Sequence, residues 1–118
     1  MSVNRVILTG NVGQDPTLRF AKSNGQSVAN FPLATHYSFT DDRGERQEQT
    51  TWTQIQVWGK RAEICKDFLK KGYHICLEGR LTNNRWTDQE GNSRERTEVV
   101  AHSWDILYRP KRNEEVEQ

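Results

Sequence analysis

Along residues 3–12, VNRVILTGNV, Val6, Leu8 and Val12 fall on one side and Arg5, Thr9 and Asn11 on the other. This is the two-residue period of a strand. Gly10 and Gly13 mark a bend or a close backbone approach, and Gln14-Asp15-Pro16 interrupts the run before extended structure resumes over 17–21. Ser23-Asn24-Gly25-Gln26 reads as a hairpin turn, because Asn-Gly tolerates positive φ. A second long strand follows over 27–40, with an irregularity expected at Pro32. After the polar turn at 41–45, DDRGE, a third strand covers 48–58. Thr51, Thr53, Ile55 and Val57 share its inner face, which puts Trp52, Gln54, Gln56 and Trp58 on the face that looks wet.

The pattern changes once. Over 59–69, Ala62, Cys65 and Leu69 form a stripe that Ile64 and Phe68 widen, and the intervening positions are charged; this predicts the chain's one helix, stopped at Gly72. Residues 73–82 return as a fourth strand with Tyr73, Ile75, Leu77 and Leu81 inward. NNRWTDQEGNSRER reads as a long polar hairpin loop, and 97–107 as a fifth strand on which Trp104 shares a face with Val100 and Ile106. One helix cannot cover both faces of a flat five-stranded sheet. Closing the strands into a barrel, with the helix between the third and fourth plugging one end, solves the burial problem. The expected fold is therefore all-β: a five-stranded OB-fold barrel with long β-hairpin arms, spanning residues 1–108, with 109–118 as a short flexible polar tail.

Composition narrows the function. Only 33% of the 118 residues are hydrophobic, which makes a lone core modest and favours partner subunits. The net charge is +1, but residues 1–113 hold all 17 basic residues and 13 of the 16 acids, a mildly basic body ahead of an acidic end. A polyanion partner is compatible with that distribution. Cys65 and Cys76 match no zinc spacing and are expected as free thiols, with no disulfide, metal or cofactor. Asp41-Asp42 and Glu114-Glu115 lie in a turn and a tail, and His36, His74 and His102 are scattered. Neither a phosphate-binding loop nor a hydrolase motif occurs, so catalysis is not expected. No long apolar run suggests a membrane span, and the first residues lack a signal-peptide pattern; a cytoplasmic protein is expected.

What stands out is a set of outward rings among cations: Tyr37 and Phe39 on one hairpin, Arg85, Trp86, Arg94 and Arg96 on the other, Trp52 and Trp58 between them. Unpaired bases expose π-faces that such rings can stack upon, and cations can track the phosphates. A duplex hides those faces.

The stretches VNRVILTGNVGQDPTLRF, VANFPLAT, QTTWTQIQVWGKRAE, FLKKG, LEGRL and RWTDQEG, in this order and spacing over residues 3–107, resemble bacterial single-stranded DNA-binding proteins of the SSB family. The resemblance implies an OB-fold, a homotetramer built as a dimer of dimers, and sequence-tolerant wrapping of single-stranded DNA in replication, recombination and repair. It places base stacking at Phe39, Trp52, Trp58 and Trp86, and phosphate contacts at Arg5, Arg19, Lys60, Lys71, Arg85 and Arg94. Family members typically continue into a Gly/Pro/Gln-rich linker with an acidic, apolar tip that recruits other proteins. This sequence ends at EEVEQ, so recruitment by such a tip is not expected of it; a cytoplasmic, nucleoid-associated protein is expected, with an organellar member as the alternative. The alternative reading is an OB-fold adaptor of a primosome-like or RNA-associated assembly.

Overall fold

The computed structural model describes residues 1–111; most of the expected tail, 112–118, lies outside the described residues. Six strands and one helix follow in the order β1 (Val6–Val12), β2 (Thr17–Phe20), β3 (Ser27–Thr40), β4 (Arg46–Trp58), α1 (Lys60–Phe68), β5 (His74–Thr87) and β6 (Ser93–Tyr108). They pair as β1-β5-β6-β4-β3-β2, and a further β1–β3 pairing closes the ring. β1 and β2 lie in succession along one edge of β3, with Val12 opposite Leu33 and Thr17 opposite Asn30. They act as one interrupted strand, so the closed barrel has five strands with its helix between β4 and β5, the OB-fold. The seam between β4 and β6 is parallel, Ile55 facing Val99.

The interior is small and almost wholly aliphatic. Val12, Phe31, Leu33, Ile55, Val57, Ile75, Leu77 and Val99 fill it, and Ala62, Cys65 and Leu69 of α1 close one end, all essentially inaccessible to water. Burial pushes the Cys65 thiol up to about 12, far from a reactive thiolate. The stripe is narrower than its periodicity suggests. Ile64 and Phe68, expected to widen it, are about half exposed, because a barrel mouth admits only one ridge of a short helix. Gly72 has φ +91° and donates to the Val12 carbonyl at 2.7 Å, returning the chain onto β1.

Pro32 does not disturb β3, contrary to expectation: it keeps register opposite Gln54. Its carbonyl accepts the Gly13 N–H at 2.8 Å, so its missing donor faces the interval where residues 14–16 leave the ladder. Nor is 83–96 a loop. β5 and β6 stay paired out to Thr87 and Ser93, and only 88–92 turns. Leu81, expected inward, is 48% exposed because there the two strands have left the barrel to form the arm. β3 and β4 form a second arm, paired to Thr40 and Arg46.

β6 carries an extra residue against β5 at two places, Leu107 near its end and His102 within the barrel wall. Glu78 faces Ser103 but Gly79 faces Ala101, so His102 has no counterpart and forms a β-bulge. Below it Trp104 and Ile106 point to the core; above it Val99 and Ala101 do. Trp104 therefore packs, half-buried, with those residues and not on a shared face with Val100. Arg61 of α1 donates to the His102 carbonyl and ties the helix to the bulge.

Candidate nucleic-acid interface

Because β4 alternates, its outer face carries Trp52, Gln54, Gln56 and Trp58 in a row. The two tryptophans stand about 20 Å apart at the usual rise of a strand. Each sits in its own depression. Trp52, 60% exposed, borders a pocket of about 380 Å³ with Gly13, Asp15, Asn30, Pro32 and Gln54. A side chain at Gly13 would run into its ring, so glycine there makes the seat for the indole.

Trp58 lies in a longer groove of about 720 Å³ running from β2 across the barrel face to the β5–β6 arm. Phe20 stands at one end and Trp86 at the other, with Arg19, Lys22 and Arg85 at the rims. Phe20 is 67% and Trp86 41% exposed. Leaving such rings in water forgoes burial worth about 1.5–3 kcal/mol for a large apolar side chain, and three around one open groove form a surface suited to flat partners.

The groove floor is polar and ordered. Glu98, 1% exposed, accepts from Gln56 Nε2 at 2.8 Å, Asn84 Nδ2 at 2.9 Å and Arg96 Nε at 3.1 Å. Burial pushes its pKa up, but the hydrogen bonds from Gln56, Asn84 and Arg96 outweigh burial and hold it below 4.5. Gln56 Oε1 in turn accepts the Trp58 indole N–H at 2.9 Å, and the Arg96 guanidinium lies 5.3 Å above the Trp86 ring.

The expected site residues thus divide. Arg19, Trp58, Arg85 and Trp86 meet in one groove, and Trp52 lies further along the same face. Arg19 leans on Asn30 Oδ1 at 3.3 Å. Arg85 faces Glu95 at 3.7 Å, on the opposite side of the strand from Trp86, yet reaches the rim. Arg94 is held by Asp88 at 2.9 Å. Phe39 stands apart on the β3–β4 arm, stacked on Tyr37 with centroids 5.9 Å apart. Lys60 and Lys71 are exposed, and the Lys71 N–H donates to Asp15 beside the Trp52 pocket. Arg5 pairs with Glu78 at 3.0 Å and does not line the groove.

Phe20 and the bed of Gln56, Asn84, Arg96 and Glu98 were not expected. Alternation along TLRF misleads for Phe20, since it pairs that ring with Leu18, which packs against the core, whereas Phe20 is exposed. The bed had no signal, since the β5–β6 pairing brings Asn84 to Arg96 and Glu98, and only the parallel β4–β6 seam adds Gln56. Among the described residues, no group of three or more His, Cys, Asp or Glu side chains could hold a metal ion.

Comparison with known proteins places this geometry. The fold is similar to that of the Plasmodium falciparum SSB in complex with ssDNA, with a TM-score of 0.78 and 25% identity over 93% of this chain and 97% of that one. It is also similar to a deletion mutant of the single-stranded DNA binding protein from Thermus aquaticus, with a TM-score of 0.77 and 30% identity over 90% of this chain and 51% of that one. This chain spans about half the length of that relative. The profile of the Single-strand binding protein family matches residues 3–107, nearly the whole of the described fold, and the chain belongs to that family.

Proposed function

We propose that this chain binds single-stranded DNA without regard to sequence and without catalysis, coating strands exposed in replication, recombination and repair. The observation that carries the reading is the groove in which Phe20 and Trp86 stand exposed, and Trp58 half-buried, between Arg19, Lys22 and Arg85. Rings offer π-faces that any base can use, and the cations meet phosphates. Titrating the protein with oligo(dT) quenches tryptophan emission as indoles stack, and the equivalent duplex leaves it largely unchanged. Equal or stronger response to RNA of the same length would favour the RNA-associated adaptor, and no response to any strand would defeat the proposal.

Assembly as a homotetramer belongs to the same reading. Two features support it: the outer edge of β1 over residues 6–9 has no strand partner among the described residues, and Ile7 beside it is 63% exposed. An unpaired strand edge of this kind is a template for a second copy. Sedimentation at micromolar concentration is expected to give four times the chain mass, and a stable monomer would remove this part of the proposal.

A further inference from the structure

A surface meant for phosphates has a carboxylate sealed into its floor, which invites an explanation. Among the described residues Glu98 is the only charged side chain that is buried. An anion there opposes the partner's charge, and burying it costs free energy unless its oxygens are well used. They are: Oε1 takes Gln56, and Oε2 takes both Asn84 and Arg96.

The consequence runs outward to two rings. A glutamine whose Nε2 donates to Glu98 must turn its Oε1 away, and that oxygen holds the Trp58 indole N–H. An arginine whose Nε donates to Glu98 has its planar guanidinium fixed, and that plane lies over Trp86. We propose that Glu98 is a positioning residue that sets the orientation of Trp58 and Trp86 together, through Gln56 and Arg96, so that both rings face the groove before a strand arrives. The inference rests on the single-strand reading, and it assigns Arg96 to holding a ring in place of meeting a phosphate.

Glu98→Gln tests it without changing shape. An amide at 98 offers one acceptor oxygen and turns an NH₂ toward a donor. Accommodating that NH₂ by flipping Gln56 would set two donors against each other at Trp58. With tryptophan side chains labelled with ¹⁵N in the free protein, Glu98→Gln is expected to move the Trp58 and Trp86 indole N–H resonances and leave Trp52 and Trp104 in place. Oligo(dT) affinity falls about ten-fold, within the range of one stacking contact, and the salt dependence of binding stays as it was. Arg96→Lys keeps the charge at an exposed position and should move Trp86 alone, with a smaller loss of affinity. Because it leaves the carboxylate in place with its bonds to Gln56 and Asn84, it carries the test if Glu98→Gln melts too early to measure.

A Glu98→Gln protein with a lower melting temperature but unmoved indoles and unchanged affinity would make Glu98 a purely structural group and overturn the inference. So would an affinity loss accompanied by a flatter salt dependence. If the unaltered chain does not bind oligo(dT), the proposed function fails and the binding half of this inference with it. The indole shifts, read without DNA, decide the positioning by themselves.

Discussion

At the scale of single residues, the outward tryptophans and the packed one should behave as opposites. Trp52→Ala and Trp86→Ala each remove a ring that no core needs, so oligo(dT) affinity should fall by roughly 1–3 kcal/mol per stacked base while the melting temperature barely moves. Trp104, half-buried against the core, should show the reverse. Its loss costs stability toward the lower end of the about 3–5 kcal/mol seen for buried tryptophans, with little direct effect on binding. Paired thermal melts and titrations of the three variants check this. Glu98 adds a pH dependence. Its folded-state pKa lies below the 4.5 of an unperturbed glutamate, so its stabilisation is complete above that value and is lost as the pH falls through the lower folded value. The charged group touching it is Arg96 of its own strand; β4 and β5 contribute the uncharged Gln56 and Asn84. Glu98→Gln should therefore flatten the acid limb of a stability–pH curve, as read by melts between pH 3 and 6. Alternation exposes Trp52 and Trp58 to anyone reading the sequence, because one strand carries both. The hold on Trp58 and Trp86 is illegible there, since Gln56 and Glu98 are 42 residues apart and meet only by barrel closure.

Among elements, the two arms end in the same device. Asp41 and Asp88 each open a D-x-x-G-x turn whose Oδ1 accepts two backbone N–H groups: from Arg43 and Glu45 in one, from Glu90 and Asn92 in the other. The second oxygen takes a side chain six residues on, Gln47 or Arg94. Gly44 and Gly91 supply the positive φ that closes each turn. In Asp88 the Arg94 side chain, then the Asn92 N–H, holds the carboxyl below its usual range. Asp88→Ala should free the Glu90 and Asn92 amides to exchange quickly and leave the barrel amides protected, which hydrogen exchange reads directly; slow exchange at the tip would show that the strands alone fix the turn. Glycine and aspartate mark both turns in the sequence. The first was read from them, but in the second the same signal was lost among the charges of 83–96. Those residues are polar because both faces of a two-stranded arm are wet, so the alternation that betrays a half-buried strand is missing. The helix stripe was overestimated for the opposite reason, as periodicity reports which residues could be buried and not how wide a mouth receives them.

For the molecule as a whole, charge sets how binding responds to salt. With about five phosphates met by cations, log K against log salt should fall with a slope of ~−3.5 for single strands. Arg19→Ala should flatten it by a little under one unit, whereas Arg5, already paired with Glu78 away from the groove, should matter less; titrations across a salt series tell them apart. Core and groove are built from the same strands, and the His102 bulge marks where the numbering of the two changes over. Side chains along a strand alternate like odd and even numbers, and His102 is where β6 changes parity: even-numbered Trp104 and Ile106 face the core below it, odd-numbered Ala101 and Val99 above it. Removing that one residue would set Ser103 beside Ala101, opposite Glu78 and Gly79, and leave every position above it on the face it holds now. Glu98 would keep its side of the strand with Gln56 and Asn84, and Val99 would stay in the interior. A residue gained or lost between His102 and the arm, with no bulge to absorb it, would instead drive Glu98 toward the aliphatic interior. The bulge is a spare place in the strand, and what its loss would undo is the tie to Arg61, not the frame.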